Sequence, residues 1–482
     1  MKFLQSKLLF LFLILCQSVS FGQIPRPEHL SDRTDSLRKD FLMLRDLLEN
    51  KYPSLYRFSS KAEIDHLLDS CYHSLNGGTT DFEFYRVVKQ VFSAIKDGHL
   101  YCDPPPQVRK YLDTKAKFFP LKLKFINDKA FVLKSVDRTV PLKAEILSIN
   151  KKSIGEVSSQ LFRFVVSDGD IRSKKINILD NFFYLYYYMA YGENEKFEIK
   201  FKNIEGKIQH AVISASLMDK MDFDSKKNTS GTLLNLNFTS GNTAIMRINT
   251  FDRTAFKKNS ENFESFLEAA FKKVQRNGTN KLIIDLRGNT GGRDTYGALL
   301  YSYLTDRSFR YYRKSQAATK DLAYNQLQKS NSSFDNLSRD MLEQVGEKQF
   351  SLREEAHPNL RVWKPNRLNY KGKVWFLIDG LSFSTTAEFC AFARENNRGK
   401  FIGEETGGGI AGNTSGYIVE QTLPSTGVIA YLGMIQYEMN INKVGNLNRG
   451  IIPDYQVKLD GLDINSDKDP YLNFALKLAR ED

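Results

Sequence analysis

From residue 243 onward strands and helices alternate, and this alternation constrains the fold more than any other feature of the sequence. Residues 243–248, 281–285, 374–378 and 400–402 are short runs rich in apolar and β-branched residues, the composition of buried strands. Between them, stretches near 261–275, 296–304 and 385–395 carry apolar residues at helical spacing. A strand followed by a helix and a further strand returns to the same edge of a sheet in parallel. This half of the chain therefore predicts an α/β domain with a largely parallel sheet. Residues 305–370 interrupt the alternation with a more polar, less regular segment, an insertion before the next strand.

Upstream the pattern differs. Leu37, Phe41, Leu44 and Leu48, then Ile64, Leu67, Leu68 and Cys71, then Phe84, Val87, Val88, Val91 and Ile95 mark three helices. Pro53 stops the first, Gly77-Gly78 stops the second, and Thr80 with Glu83 has the capping-box spacing that starts the third. Gly98 is a residue suited to end it, which leaves His99 just beyond a rigid element. Residues 115–216 turn to short apolar and β-branched runs, a small mostly-β module. Within it, residues 141–154 resemble the strand, turn and helix start of a PDZ domain, without the Gly-Leu-Gly-Phe carboxylate loop. A chain of 482 residues exceeds one core. The expected architecture is α+β and multidomain: a leader over 1–22, an N-terminal helical domain over 23–114, a degenerate PDZ-like module over 115–216 and an α/β core over 217–482.

Residues 1–22 have the order of a secretory leader, with Lys2, an apolar run over 8–16 and small or polar residues up to Gly22. The mature chain is expected to start near Gln23 and to be exported to the periplasm or the extracellular space. The run falls short of the roughly 20 apolar residues of a membrane helix, so no stable membrane insertion is expected. Bulky Leu15 before Cys16 argues against a lipid anchor. Past the leader only Cys71, Cys102 and Cys390 remain, with no Cys-x-x-Cys pair, so neither a disulfide framework nor a zinc site is indicated. The formal charge of +13 is dispersed among interleaved acids, which describes a solvated surface rather than a nucleic-acid partner. Gly407, Gly409 and Gly412 fit Gly-x-Gly-x-x-Gly, but no helix start follows and no dinucleotide site is expected. No metal or other cofactor is called for, and the oligomeric state is not written in the sequence.

Two strand ends carry the chemistry. Lys281-Leu-Ile-Ile-Asp285 runs into Leu286-Arg-Gly-Asn-Thr-Gly-Gly292, and glycines after a buried strand can leave amides pointing outward as an oxyanion site; a purely structural turn uses the same residues. The strand ending at Ile378 leads to Ser384 at the start of a helix, where a hydroxyl is presented at the carboxyl edge of the sheet and the helix start favours an oxyanion. Read from position alone, Ser384 is equally a nucleophile or a helix cap. A serine nucleophile needs a base. Of the six histidines, His99 stands at the end of a well-defined helix and a glycine.

Asp97-Gly98-His99, Asp285-Leu-Arg-Gly-Asn-Thr-Gly-Gly292, Ser384, Gly403-Glu-Glu-Thr-Gly-Gly-Gly409 and Arg449-Gly-Ile-Ile-Pro-Asp454 resemble, in order, the blocks of the tail-specific and tricorn-core serine peptidases. The resemblance runs from His99 to Asp454 and implies a serine peptidase acting on peptide or unfolded protein. It implies Ser384 as nucleophile and an oxyanion site from Gly291 or Gly292 with Thr385. The tail-processing branch uses a Ser/Lys dyad, and its lysine falls here on Gly409. The tricorn-like branch uses a histidine base, which carries over to His99. The acid that supports it is expected near Leu447-Asn448-Arg449, where none stands, so the nearest upstream acid, Glu438, becomes the expected partner. A non-catalytic peptide-binding protein and an esterase or amidase are the competing functions. In such an enzyme the 305–370 insertion suits an active-site lid.

Overall fold

The computed structural model describes residues 30–221, 223, 232–239, 242–322, 339–442, 445–457, 459 and 468–481; the leader expected over 1–22 lies outside them. Helices α1 (Leu30–Asn50), α2 (Lys61–Ser74) and α3 (Asp81–Ile95) open the fold. Reciprocal capping boxes, Ser60 with Glu63 and Thr80 with Glu83, start α2 and α3, each satisfying otherwise orphaned amides. The third helix stops at Ile95 because Lys96 takes a left-handed φ of 62°, three residues before the histidine. Strand β1 (Tyr101–Asp103) follows at once.

The middle of the chain forms strands β2 (Leu121–Ile126), β3 (Lys129–Ser135), β4 (Glu145–Ile149), β5 (Lys196–Lys202) and β6 (Ile208–Ser214), with α4 (Ile154–Leu161) and α5 (Arg172–Tyr191) inserted between β4 and β5. The sheet order is β2-β3-β4-β5-β6, antiparallel throughout. Leu179, Phe183 and Tyr187 of α5 fill its core. The first two turns of α5 also face the opposite way: Asn177 Nδ2 donates to Glu404 Oε2 at 2.9 Å, and a Cβ at Gly380 would lie 2.4 Å from the Ser173 carbonyl.

The core sheet takes the order β7 (Leu234–Thr239), β8 (Thr243–Ile248), β9 (Lys281–Asp285), β11 (Lys373–Ile378) and β12 (Lys400–Gly403). All its pairings are parallel except that of the edge strand β7. Helices α6 (Phe263–Arg276), α7 (Asp294–Ser302), α8 (Thr385–Glu395) and α9 (Pro470–Glu481) accompany it. Ile283, Trp375, Leu377 and Ile402 on one face pack against Ala475 and Ala479 of α9.

A second sheet joins the two ends of the chain. Strand β14 (Ile429–Met439) pairs antiparallel with β1, with β13 (Gly416–Thr422) and with β10 (Tyr312–Ala317). Residues Leu342–Gly346 and Gln349–Leu352 extend it beyond β10. Part of the 305–370 insertion is thus sheet, although its sequence looked irregular: three of the five residues of Leu342–Gly346 are exposed, which erases the period-two signal. Among the described residues no helix is long and apolar enough to cross a membrane.

Fully buried Asp40 of α1 ties the helices to this sheet. Its carboxylate accepts the amides of Ser425 at 3.0 Å and Thr426 at 2.7 Å and the Thr426 hydroxyl at 2.8 Å. Asp40→Ala strands three donors, two of them buried, and is expected to cost about 3 kcal/mol, read by denaturant unfolding; a loss below about 0.5 kcal/mol contradicts the tie.

Candidate active site

The two loops that leave β9 and β11 are laced together. Asp379 accepts the Gly288 amide at 3.0 Å and that of Leu381 at 3.0 Å, and burial raises its carboxyl. Ser382 Oγ donates to the Leu286 carbonyl at 3.0 Å, and the Phe383 amide to the Asn289 carbonyl at 3.2 Å. Ser384 emerges from this lacing with φ 55° and ψ −128° and makes no side-chain cap for α8. The capping alternative therefore fails on geometry. A non-glycine residue held at positive φ is a strained conformation that the surroundings must enforce. Its hydroxyl lies 3.0 Å from His99 Nε2.

His99 is 8% exposed and its ring stacks on Phe383 with centroids 4.4 Å apart. Gly98 before it is required by close approach, since a Cβ there would sit 2.6 Å from Lys174 Nζ and 2.8 Å from Asp168 Oδ1. The acid beside His99 is Asp97. Its Oδ1 lies 3.7 Å from His99 Nδ1, an ion-pair distance rather than a hydrogen bond, and among the described residues Nδ1 has no hydrogen-bond partner. The Asp97 carboxylate also accepts the His99 amide at 3.0 Å and the Tyr52 hydroxyl at 2.5 Å. Burial pushes this carboxyl up, but His99, Tyr52 and the His99 amide outweigh it and hold the group below the ordinary range. Glu438 does not take the place expected of it. On β14 it pairs with Arg313 at 3.3 Å and Lys314 at 3.2 Å, because its strand register sets it opposite Lys314 of β10. Asp97 stood inside the motif that picked out His99, yet nothing in the sequence distinguishes it from a turn residue.

Of the oxyanion candidates, Gly291 comes closest to the serine: a Cβ there would lie 2.6 Å from Ser384 Cβ. Its own amide donates to Asn289 Oδ1 at 3.0 Å and is not free. The amides of Gly292 and Thr385 make no hydrogen bond among the described residues, and Thr385 Oγ1 donates to the Gly292 carbonyl at 3.0 Å, holding the two side by side. Asp168, which the sequence did not single out, accepts the Gly98 amide at 2.6 Å and the Gly409 amide at 2.9 Å. Asp97, His99 and Asp168 each place one donor atom within 4.8 Å of the others. The carboxylate oxygens are already engaged by protein donors.

Behind Ser384, α8 carries a buried acid. Glu388 accepts Tyr312 Oη–H at 2.8 Å and Asn413 Nδ2–H at 2.7 Å. Nearby Asp294 accepts Tyr437 Oη–H at 3.1 Å and lies 2.9 Å from His357 Nε2. Burial, and then the Asp294 charge, push Glu388 up to about 8.

A serine hydroxyl on a strained strand-to-helix turn, within reach of an imidazole, is the arrangement serine hydrolases use. Residues 242–457 match the family model of Peptidase family S41, a segment that holds Ser384, Gly291, Gly292 and Thr385 and leaves out His99. Over that segment the chain thus carries a Peptidase S41 family domain, the domain of a serine-type peptidase. No curated protein matches the sequence. Mature CPAF complexed with lactacystin is similar in fold, with a TM-score of 0.66 at 14% identity over 93% of this chain and 98% of that one. The photosystem II D1 C-terminal processing protease gives a TM-score of 0.43 at 12% identity, over 93% and 98% of the two chains. For the tricorn protease the TM-score is 0.41 at 13% identity, over 93% of this chain and 37% of that one.

Glu388 makes a testable contribution to stability. The unfolded chain releases its proton in the ordinary carboxyl range, whereas the folded protein keeps it to about 8. The folded state therefore binds more protons, and stability falls as pH rises from that range through 8. Glu388→Gln is expected to gain on the native protein by about 1–3 kcal/mol at pH 8 and by much less near pH 5. A pH-independent difference in denaturant unfolding contradicts this.

Proposed function

We propose that the protein is an exported serine peptidase in which Ser384 attacks the peptide carbonyl and His99 is the general base, with Asp97 as the acid that orients it. The observation that carries this reading is the 3.0 Å approach of Ser384 Oγ to His99 Nε2, made by a serine that caps nothing. His99 Nε2 takes the hydroxyl proton as Oγ bonds to the carbonyl carbon, and the oxygen of that carbonyl becomes an oxyanion. The amides of Gly292 and Thr385, at the start of α8, receive it; preorganised donors at a helix start are suited to that charge. The imidazolium forms beside Asp97, whose other contacts to Tyr52 and the His99 amide keep it fixed. His99 then gives the proton to the departing amine, and water hydrolyses the acyl-enzyme by the same exchange in reverse.

The middle sheet is read as the degenerate PDZ-like module. Residues 141–154 support this with a strand and a turn leading to α4, which begins at a Ser153–Glu156 capping box. Export follows from the leader, and N-terminal sequencing of the mature protein near Gln23 tests it; an intact Met1 in the exported fraction contradicts it.

Fluorophosphonate labelling followed by peptide mass mapping tests the catalytic pair. Label is expected on Ser384 in the native protein and in His66→Ala, and to fall about 10³-fold or more in His99→Ala. Asp97→Asn is expected to slow labelling by about 10²-fold or more. Labelling indifferent to His99 removes the base from the mechanism. Turnover of a peptide, compared with that of a simple ester, separates a peptidase from an esterase on the same residues.

A further inference from the structure

The first turn of α5 delivers to the active site a lysine that the mechanism above does not use. Lys174 is 8% exposed. Its Nζ donates to the Gly98 carbonyl at 3.2 Å and sits 3.2 Å from the centroid of the Phe383 ring, the ring on which His99 stacks. The charged groups acting on it are Asp168 from the loop before its own helix and Asp97 from the segment after α3, the two acids that share a cluster with His99. The loop before α8 offers the Phe383 ring. Both carboxylates are buried.

Two buried carboxylates beside an imidazole favour its protonated form, and a protonated histidine cannot accept the serine proton. A buried ammonium among them opposes that bias. The arrangement also has a mechanical side, because Gly98 and Phe383 are the chain neighbours of His99 and Ser384, and Lys174 touches both. Burial lowers the Lys174 ammonium to about 8, with Asp168 and then Asp97 acting against the fall. Lys175 next to it turns away, its Nζ donating to the Phe162 carbonyl at 3.2 Å.

We propose that Lys174 is a positioning residue for the peptidase reaction, which sets its positive charge against the Asp97 and Asp168 carboxylates beside His99, and which aligns His99 on Ser384 through Gly98 and Phe383. The inference rests on the reading of Ser384 and His99 as the acylating pair. It also makes the helix of the middle module part of the active site, so that the core and that module work as one unit.

The test is the rate of fluorophosphonate labelling as a function of pH in the full mature chain, for the native protein, Lys174→Met, Lys174→Gln, Lys175→Met and His99→Ala. Both Lys174 variants are expected to move the acid limb to higher pH by roughly 0.5–1 unit, which lowers the rate about three- to tenfold on that limb. Gln can still donate to the Gly98 carbonyl, so its failure to restore the limb assigns the effect to charge. Lys175→Met leaves the limb in place. Both Lys174 variants are expected to fold, because charge balance at the site is not needed for the core. An unmoved limb in the folded variants, a limb restored by Gln, or loss of folding in both overturns the proposal. Undiminished labelling in His99→Ala overturns the Ser384–His99 reading instead, whatever Lys174 does.

Discussion

The contact between Ser384 Oγ and His99 Nε2 joins residues 285 positions apart, and much of the fold serves to bring its two sides to 3.0 Å. On one side, a parallel sheet ends in two loops that are laced by Asp379 and Ser382, and this lacing holds Ser384 at a positive φ. On the other, a helix ends in a left-handed Lys96, and the strand that follows the histidine is locked into the second sheet at Tyr101↔Tyr431. Neither side fixes the other locally. Loop-closure entropy grows slowly with separation, so such a distant pairing is sustained by the rigidity of both frames.

The site concentrates charge that water would otherwise solvate. A lone buried carboxylate costs several kcal/mol unless its oxygens are engaged, and here each is. Asp97 is held by Tyr52 and the His99 amide, and Asp168 by the Gly98 and Gly409 amides. The position where a Ser/Lys dyad would place its lysine is thus an amide donor to Asp168, while an ammonium reaches the same neighbourhood from α5. One turn beyond the serine, Glu388 of α8 lies under the charge of Asp294 at the start of α7. The hydroxyls of Tyr312 and Tyr437 reach Glu388 and Asp294 from the second sheet and tie both helices to it.

Much of this was legible in the sequence, for physical reasons that differ by element. The span of β9 is the one expected, and α8 begins and ends as expected, because buried parallel strands and capped helices leave contiguous local patterns. Ser384 was visible from its place at a strand-to-helix turn and from the family order of blocks, whereas His99 rested mainly on the family resemblance and on the absence of a lysine at Gly409. The acid was not visible. Which carboxylate meets His99 is set by packing, and proximity along the chain to the last sequence block pointed to Glu438, whose strand register carries it to Arg313 and Lys314. Lys174 and Asp168 lay in a stretch without motif. Helix α5 was hidden because its run of Phe and Tyr has the composition of a strand, and only its packing over the middle sheet decides otherwise.

In the proposed reaction Ser384 Oγ is the acylated atom and His99 its base. A crystal structure of the protein inactivated by a peptidyl phosphonate tests it most directly. The account predicts phosphorus bonded to Ser384 Oγ, His99 Nε2 within about 3 Å of that oxygen, and the phosphoryl oxygen between the amides of Gly292 and Thr385. An adduct on another residue, or one on Ser384 with His99 turned out of reach, would contradict it.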